Sequence, residues 1–199
     1  MKLRSSPASP FGRKVKMTAL MLGMTDKIEI TKTDMQDPAD PITRENPLGK
    51  IPALALDDGT SLYDSRVICE YLNDLAGGKL FPSGDAGWKA RTLQALCDGM
   101  LDAAILKVYE TRYRPEDKRH PDWVQRQQDK IDRALKWLEA NPPKTGSEPN
   151  IGDVTLACVL GYFDFRFPGS WRDDSPNLVA WLDAFAAANP AYDATKPTD

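Results

Sequence analysis

The chain has 199 residues, 41% of them hydrophobic and 28% charged, enough apolar material to pack one large domain or two small ones. A net charge of −3 and a pI near 5.3 argue against nucleic acid as a main partner, because gripping phosphates requires a concentrated basic face. No apolar run approaches the ~20 residues of a membrane span, and residues 1–10 hold no signal-like apolar stretch, so neither a membrane partner nor export is expected.

Met1, Lys2 and Leu3 begin a short strand, and residues 4–10 (RSSPASP) form a turn-rich loop with three hydroxyls, Ser5, Ser6 and Ser9. Phe11 to Leu22 reads as a helix with Phe11, Val15, Leu20 and Leu22 apolar, and with Arg13, Lys14 and Lys16 turned toward solvent. Serine ahead of a helix is usually an N-cap, and the same position suits donation to an anion. Gly23 ends the helix, and Lys27 to Thr33, with its β-branched residues, reads as a second strand.

Residues 46–72 read NPLGKIPALALDDGTSLYDSRVICEYL. Asn46 to Gly49 is a loop, and Ile51 to Leu56 is a short apolar strand with Pro52 at its entrance. Proline has no backbone donor, so Ile51-Pro52 belongs at a strand start, an edge or a turn, where a cis bond is allowed. Asp57, Asp58 and Gly59 make a hairpin turn, and Ser61 to Tyr63 is the return strand. Asp64 and Ser65 then precede a helix carrying Val67, Ile68, Tyr71, Leu72 and Leu75 at helical spacing. The free N–H groups and positive dipole end at such a helix start favour a carboxylate ligand.

The run N-P-x-G-x-(I/V)-P-x-L, a hairpin, and then (E/D)-S-x-x-I-x-x-Y-L resembles the cytosolic glutathione transferases. The resemblance implies an α/β thioredoxin-like N-terminal domain followed by an all-α domain, with the loop before the first helix meeting the loop before Pro52. It implies that Ile51 pairs its backbone with the cysteinyl part of glutathione, that Pro52 is a cis-proline, and that Asp64 and Ser65 hold the γ-glutamyl end. Lys50, next to Ile51, adds an anion contact. The S-P-F segment at Ser9 resembles the C-P-F segment of the omega class, which puts Ser9 in the place of the omega cysteine, with Ser5 and Ser6 as alternatives. The tyrosine usual in other classes is absent, since the first tyrosine of the chain is Tyr63.

The task of that hydroxyl follows from acid–base chemistry. A thiol of pKa ~8.5–9 is only a few per cent thiolate at pH 7, and the thiolate is the nucleophile. One hydrogen bond to a charged group contributes about 1.5–3 kcal/mol, enough to lower that pKa by roughly one to two units. Serine need only donate, whereas cysteine there would favour mixed disulfides.

Gly77 and Gly78 end the helix, and residues 79–86, with Leu80 and Phe81 as apolar anchors, suit a linker between domains of residues 1–78 and 87–199. Beyond it Trp88 to Tyr109 is a long helix whose inward face takes Trp88, Leu93, Leu96, Met100, Ala104 and Val108, with Asp98 and Asp102 positioned to line an interdomain cleft. Residues 111–121 are irregular and basic, and His120 there is read as a surface residue. Phe11, Tyr109, Arg112 and Tyr113 are the residues expected to meet a second substrate. Asp122 to Ala140 is amphipathic, with Trp123, Ile131, Leu135 and Leu138 inward. Asn150, followed three residues later by Asp153, caps an apolar run from Val154 to Phe163 that reads as the buried central helix. A last helix runs from Asn177 to Ala188, and the proline-rich tail is expected to fray.

Cys69, Cys97 and Cys158 lie far apart without a neighbouring histidine, so they are expected to be buried apolar fillers, with no metal site and a reducing, cytoplasmic setting. The sequence thus points to a glutathione transferase with glutathione as co-substrate, a hydrophobic electrophile in the cleft and a homodimeric state typical of the family. Two other readings stay open: a reductase, isomerase or peroxidase of the same fold, and a non-catalytic binding module.

Overall fold

Strand β1 (Lys2–Ser5) pairs in parallel with β2 (Glu29–Lys32) and antiparallel with β3 (Ala53–Ala55), and β4 (Ser61–Leu62) closes the sheet in the order β2-β1-β3-β4. The register sets Leu3 beside Ile30 and Leu54, and Leu54 beside Leu62. This computed structural model describes residues 1–34, 37, 39–144 and 148–198. Helix α1 (Pro10–Met21) carries the crossover from β1 to β2, a connection that parallel strands require. A short α2 (Ile42–Glu45) and then α3 (Ser65–Ala76) complete the N-terminal half. The hairpin between β3 and β4 turns at Gly59, whose φ of 88° lies where side chains are strained. Gly77, with φ of 59°, ends α3 in the left-handed cap expected of a glycine there.

The rest is helical: α4 (Gly84–Tyr113), α5 (Pro121–Ala140), α6 (Ile151–Arg166), α7 (Pro176–Ala188) and α8 (Ala191–Ala194). The long helix begins inside the stretch expected to be a linker, and Leu80 just before it is buried, its N–H donating to the Asn73 side chain and its carbonyl accepting from Ile151. At the start of α6 Asn150 accepts the N–H groups of Gly152 and Asp153 while Asp153 accepts that of Asn150, a complete capping box. Every residue from Ile151 to Phe163 is buried, so α6 is the central helix, packed against α4 and α1. That packing is close at Gly152, where an added Cβ would lie 2.8 Å from the Ala90 carbonyl oxygen and 2.9 Å from Leu93 Cβ. Gly152→Ala should therefore destabilise the protein by about 1–3 kcal/mol, read as a Tm drop of several degrees in a thermal melt. An unchanged melt would mean that the two helices separate freely.

Four expectations are corrected here. Arg13 and Lys14 are not solvated but buried, Arg13 at 1% exposure, because α1 is packed against α3, α6 and α8. Trp88 is 71% exposed: the inward row of α4 runs through Ala90, Cys97, Leu101 and Ala104, and at roughly 100° per residue Trp88 lies on the far side from Ala90. Trp123, in the first turn of α5, is likewise exposed, with the Lys130 ammonium 6.0 Å from its ring centre. The chain end docks rather than frays: Tyr192 and Thr195 are buried, and Arg13 Nη2 donates to the Tyr192 carbonyl at 2.9 Å with its guanidinium 4.4 Å from that ring centre.

Candidate functional site

The site is assembled where α1 begins. Ser9 is its N-cap: extended backbone (φ −74°, ψ 119°), Pro10 at the first helical position, and Oγ accepting the Gly12 N–H at 3.0 Å. Because Oγ accepts in that bond, the hydroxyl hydrogen remains available to donate. Ser9 opens on a cleft of about 460 Å³, whose near wall also takes Ser6, Phe11, Lys50 and Ile51. Ser5 does not line this cleft; it is buried, and its Oγ donates to the Ser6 carbonyl.

The loop carrying Lys50 and Ile51 is fixed by one buried side chain. Asn46 donates to the Lys50 carbonyl at 2.8 Å and accepts the Leu48 N–H at 3.0 Å. Beyond it the Ile51-Pro52 peptide is cis, and the first helix and this loop meet at the same cleft, as the family resemblance implies. The far wall is α4 and α6. Asp102, Ile105, Tyr109 and Arg112 come from one face of α4, and Tyr162 and Arg166, one turn apart, from α6.

Asp64 and Ser65 stand at the start of α3, where Asp64 accepts the Arg66 N–H at 3.0 Å and pairs with the Arg66 guanidinium at 2.8 Å. Burial pushes the Asp64 carboxyl up, but the bonds from Arg66 outweigh it and hold it below its ordinary value. The Tyr63-Asp64 peptide is cis as well, and Ser65 is buried. Behind this helix start lies a buried ion pair, Lys14 Nζ to Asp98 Oδ1 at 2.6 Å, whose other oxygen is 3.8 Å from Arg66 Nε. Burial still drives the Asp98 carboxyl above its usual range despite Lys14, and burial raises Asp102 too. Asp98 is thus behind the site, not in the cleft, while Asp102 lines it.

Of the residues expected from the sequence, Ser9, Lys50, Ile51, Phe11, Tyr109 and Arg112 share the cavity. Pro52, Asp64, Ser65 and Tyr113 do not line it; Tyr113 packs edge-on against Tyr109 with ring centres 5.0 Å apart. Sequence reading missed Ile105, Leu106, Tyr162 and Arg166. Their one signal is the helical spacing of 105, 109 and 112 and of 162 and 166, which shows a shared face but not what it meets. All three cysteines are buried, and burial raises their thiols, Cys69 to about 12 and Cys158 to about 11.

A four-stranded α/β domain, a helical domain behind it, and a cleft between a cis-proline loop and the first helix define a glutathione-transferase fold. Residues 3–80 match the family model of the glutathione S-transferase N-terminal domain, and residues 121–184 match that of its C-terminal domain. The chain belongs to the glutathione transferase superfamily. It is 41% identical, over 100% of its own length and 99% of the other's, to a glutathione transferase family member from Pseudomonas fluorescens Pf-5 crystallised with bound glutathione, with a TM-score of 0.91. A second crystal of that protein holds S-(propanoic acid)-glutathione. The glutathione S-transferase of Methylobacillus flagellatus KT, with glutathione bound, is 33% identical over 99% of both chains, at a TM-score of 0.90. The GST-like protein YibF of Escherichia coli K12, described as uncharacterized, is 34% identical over 90% of each chain.

Proposed function

We propose that this protein is a glutathione transferase in which Ser9 donates a hydrogen bond to the glutathione thiolate. The observation that carries the reading is the Ser9 hydroxyl at the helix start, free to donate, in one cleft with Lys50 and Ile51. The Ile51 backbone beside the cis Pro52 takes the cysteinyl part, Asp64 and Ser65 take the γ-glutamyl end, and Lys50 takes an anionic group. A full-length relative at 41% identity with glutathione bound supports the same ligand here. The thiolate attacks an electrophilic carbon lying against Phe11, Tyr109, Arg112 and the neighbouring Tyr113. In a substitution the leaving group departs with the bonding pair; in an addition the displaced pair takes a proton from water.

Thiolate transfer is favoured over disulfide exchange, because burial suppresses all three thiols and none lines the cleft to act as a resolving partner. The domain boundary falls within residues 79–86. The partner is a second copy of the chain, for which the exposed row of Val67 and Leu75 on α3 and the exposed Trp88 on α4 supply apolar surface. Three free thiols fit a cytoplasmic protein.

Retention on immobilised glutathione with conjugation of an aryl halide tests the reading; retention without turnover would point to the non-catalytic module. The γ-glutamyl assignment is tested separately by Asp64→Asn, which keeps a cap for α3 but removes the charge. Glutathione affinity measured by calorimetry should fall by about tenfold, the equivalent of one charge-assisted hydrogen bond. An unaltered dissociation constant would remove Asp64 from the site.

A further inference from the structure

A second cavity, of about 470 Å³, is walled by β1, α1, β2 and the chain that follows α8. Among the described residues it shares only Ser6 with the cleft at Ser9, and the transferase reading makes no use of it. We infer that it binds a small amphipathic carboxylate, with the carboxylate paired to the Lys16 ammonium and the apolar body against Leu20, Ile28 and Ile30.

Lys16 is half-buried on α1 and makes no ion pair and no hydrogen bond among the described residues. Burial first, and then the Arg13 guanidinium, hold its ammonium below the ordinary lysine value, as expected of a charge without a counterion. Arg13, three residues earlier on the same face of α1, forms no ion pair among the described residues, and its Nε and Nη1 are buried without partners. Lys32, also on the wall, is unpaired in the same sense, whereas Lys196 is matched by Asp193 at 2.8 Å. No acid among the described residues lines the cavity: Asp26 and Glu29, nearest in sequence to Ile28, are exposed and lie outside it, and Glu29 pairs with Lys2 at 3.7 Å. The missing partner is a ligand's negative charge, and in a site partly cleared of water that pairing is stronger than in bulk.

The rest of the wall decides which anion fits. Leu20 and Ile30 are 36% and 57% exposed and both line this cavity, so a hydrocarbon body covers apolar surface that water otherwise meets. Among the described residues no arginine lines it to grip a phosphate with a planar fork, whereas one compact ammonium matches the single charge of a carboxylate. The volume falls in the range of about 300–1,000 Å³ usual for small-molecule sites.

Octanoate and octanamide share one hydrocarbon body and differ in charge, and calorimetry on the whole protein gives the ratio of their dissociation constants. Octanoate should bind about tenfold more tightly than the amide, the equivalent of one charge-assisted pair. In Lys16→Gln that ratio should fall close to one. Ile30→Glu should abolish the preference too, because it sets a rival carboxylate on the cavity wall at a position exposed enough for the fold to tolerate it. Arg112→Gln, on the cleft at Ser9, should leave the ratio unchanged. No octanoate binding at millimolar concentration overturns the inference, as does equal binding of acid and amide. A preference that survives Lys16→Gln or Ile30→Glu, or that vanishes in Arg112→Gln, overturns it as well, since the carboxylate would then sit elsewhere. If Lys16→Gln melts too low to measure, the Ile30→Glu result decides alone. Glutathione takes no part in these measurements, so their failure leaves the transferase reading to its own tests.

Discussion

Replacing Ser9 by alanine should raise the apparent pKa of the glutathione thiol in the complex by about one to two units, because a bond worth roughly 1.5–3 kcal/mol to the anion disappears. At pH 7 the thiolate fraction then falls by roughly 10- to 100-fold. The rate falls less, by about three- to tenfold, since a more basic thiolate is the better nucleophile. The pH profile of kcat is therefore the sharper readout: its rising limb should move toward alkaline pH, and the variant should recover most of its rate at pH 9. Ser9 also caps α1, so alanine costs about 1 kcal/mol of stability, while Ser9→Gly loses the hydroxyl with only a few tenths lost from the cap. The two variants should share one shifted profile despite different melts. Unmoved profiles in both would pass the role to Ser6, the other hydroxyl on the near wall.

The second large effect is expected from Lys14→Met. Lys14 is fully buried and its partner Asp98 nearly so, and removing one member of such a pair leaves a charge in the interior. Of the usual 3–5 kcal/mol, the lower end, about 3 kcal/mol, applies here, since Arg66 at 3.8 Å partly compensates. The pH dependence has a definite sign. The Asp98 carboxyl is raised in the folded protein, so folding favours its protonated form, and the penalty for its charge is present above the folded pKa and fades as pH falls through it. Without Lys14 the raise is larger. Urea unfolding should accordingly show a greater loss at pH 8 than at pH 5 when each is referred to the unaltered protein. Equal losses at both values would show that the carboxylate is not desolvated. Adding Asp98→Leu to Lys14→Met should restore much of the stability, as it removes the stranded charge.

What the sequence displayed was local. The hairpin at Asp57, Asp58 and Gly59, the caps at Ser9 and Asn150, and the stop at Gly77 each depend on a few adjacent residues, and all form as read. The apolar run of α6 is uniform, which showed burial correctly and for the same reason concealed that Tyr162 and Arg166 face a cavity. Arg13 and Lys14 follow a spacing that suits a solvated face. Only the arrival of α6 and α8 over that face turns it inward, and periodicity within one helix carries no record of its neighbours. The cleft's far wall was hidden for that reason too: residues 105–112 and 162–166 meet the first helix through packing across most of the chain's length.

The docking of α8 on α1 has a consequence for the order in which the molecule assembles. The carbonyl that receives Arg13 of α1 belongs to Tyr192, 179 residues further along the chain. The guanidinium of the helix that opens on the cleft therefore stays hydrated until α8 has been made and has docked. The helix that carries Ser9 at its cap is thus seated in full only once α8 lies across it.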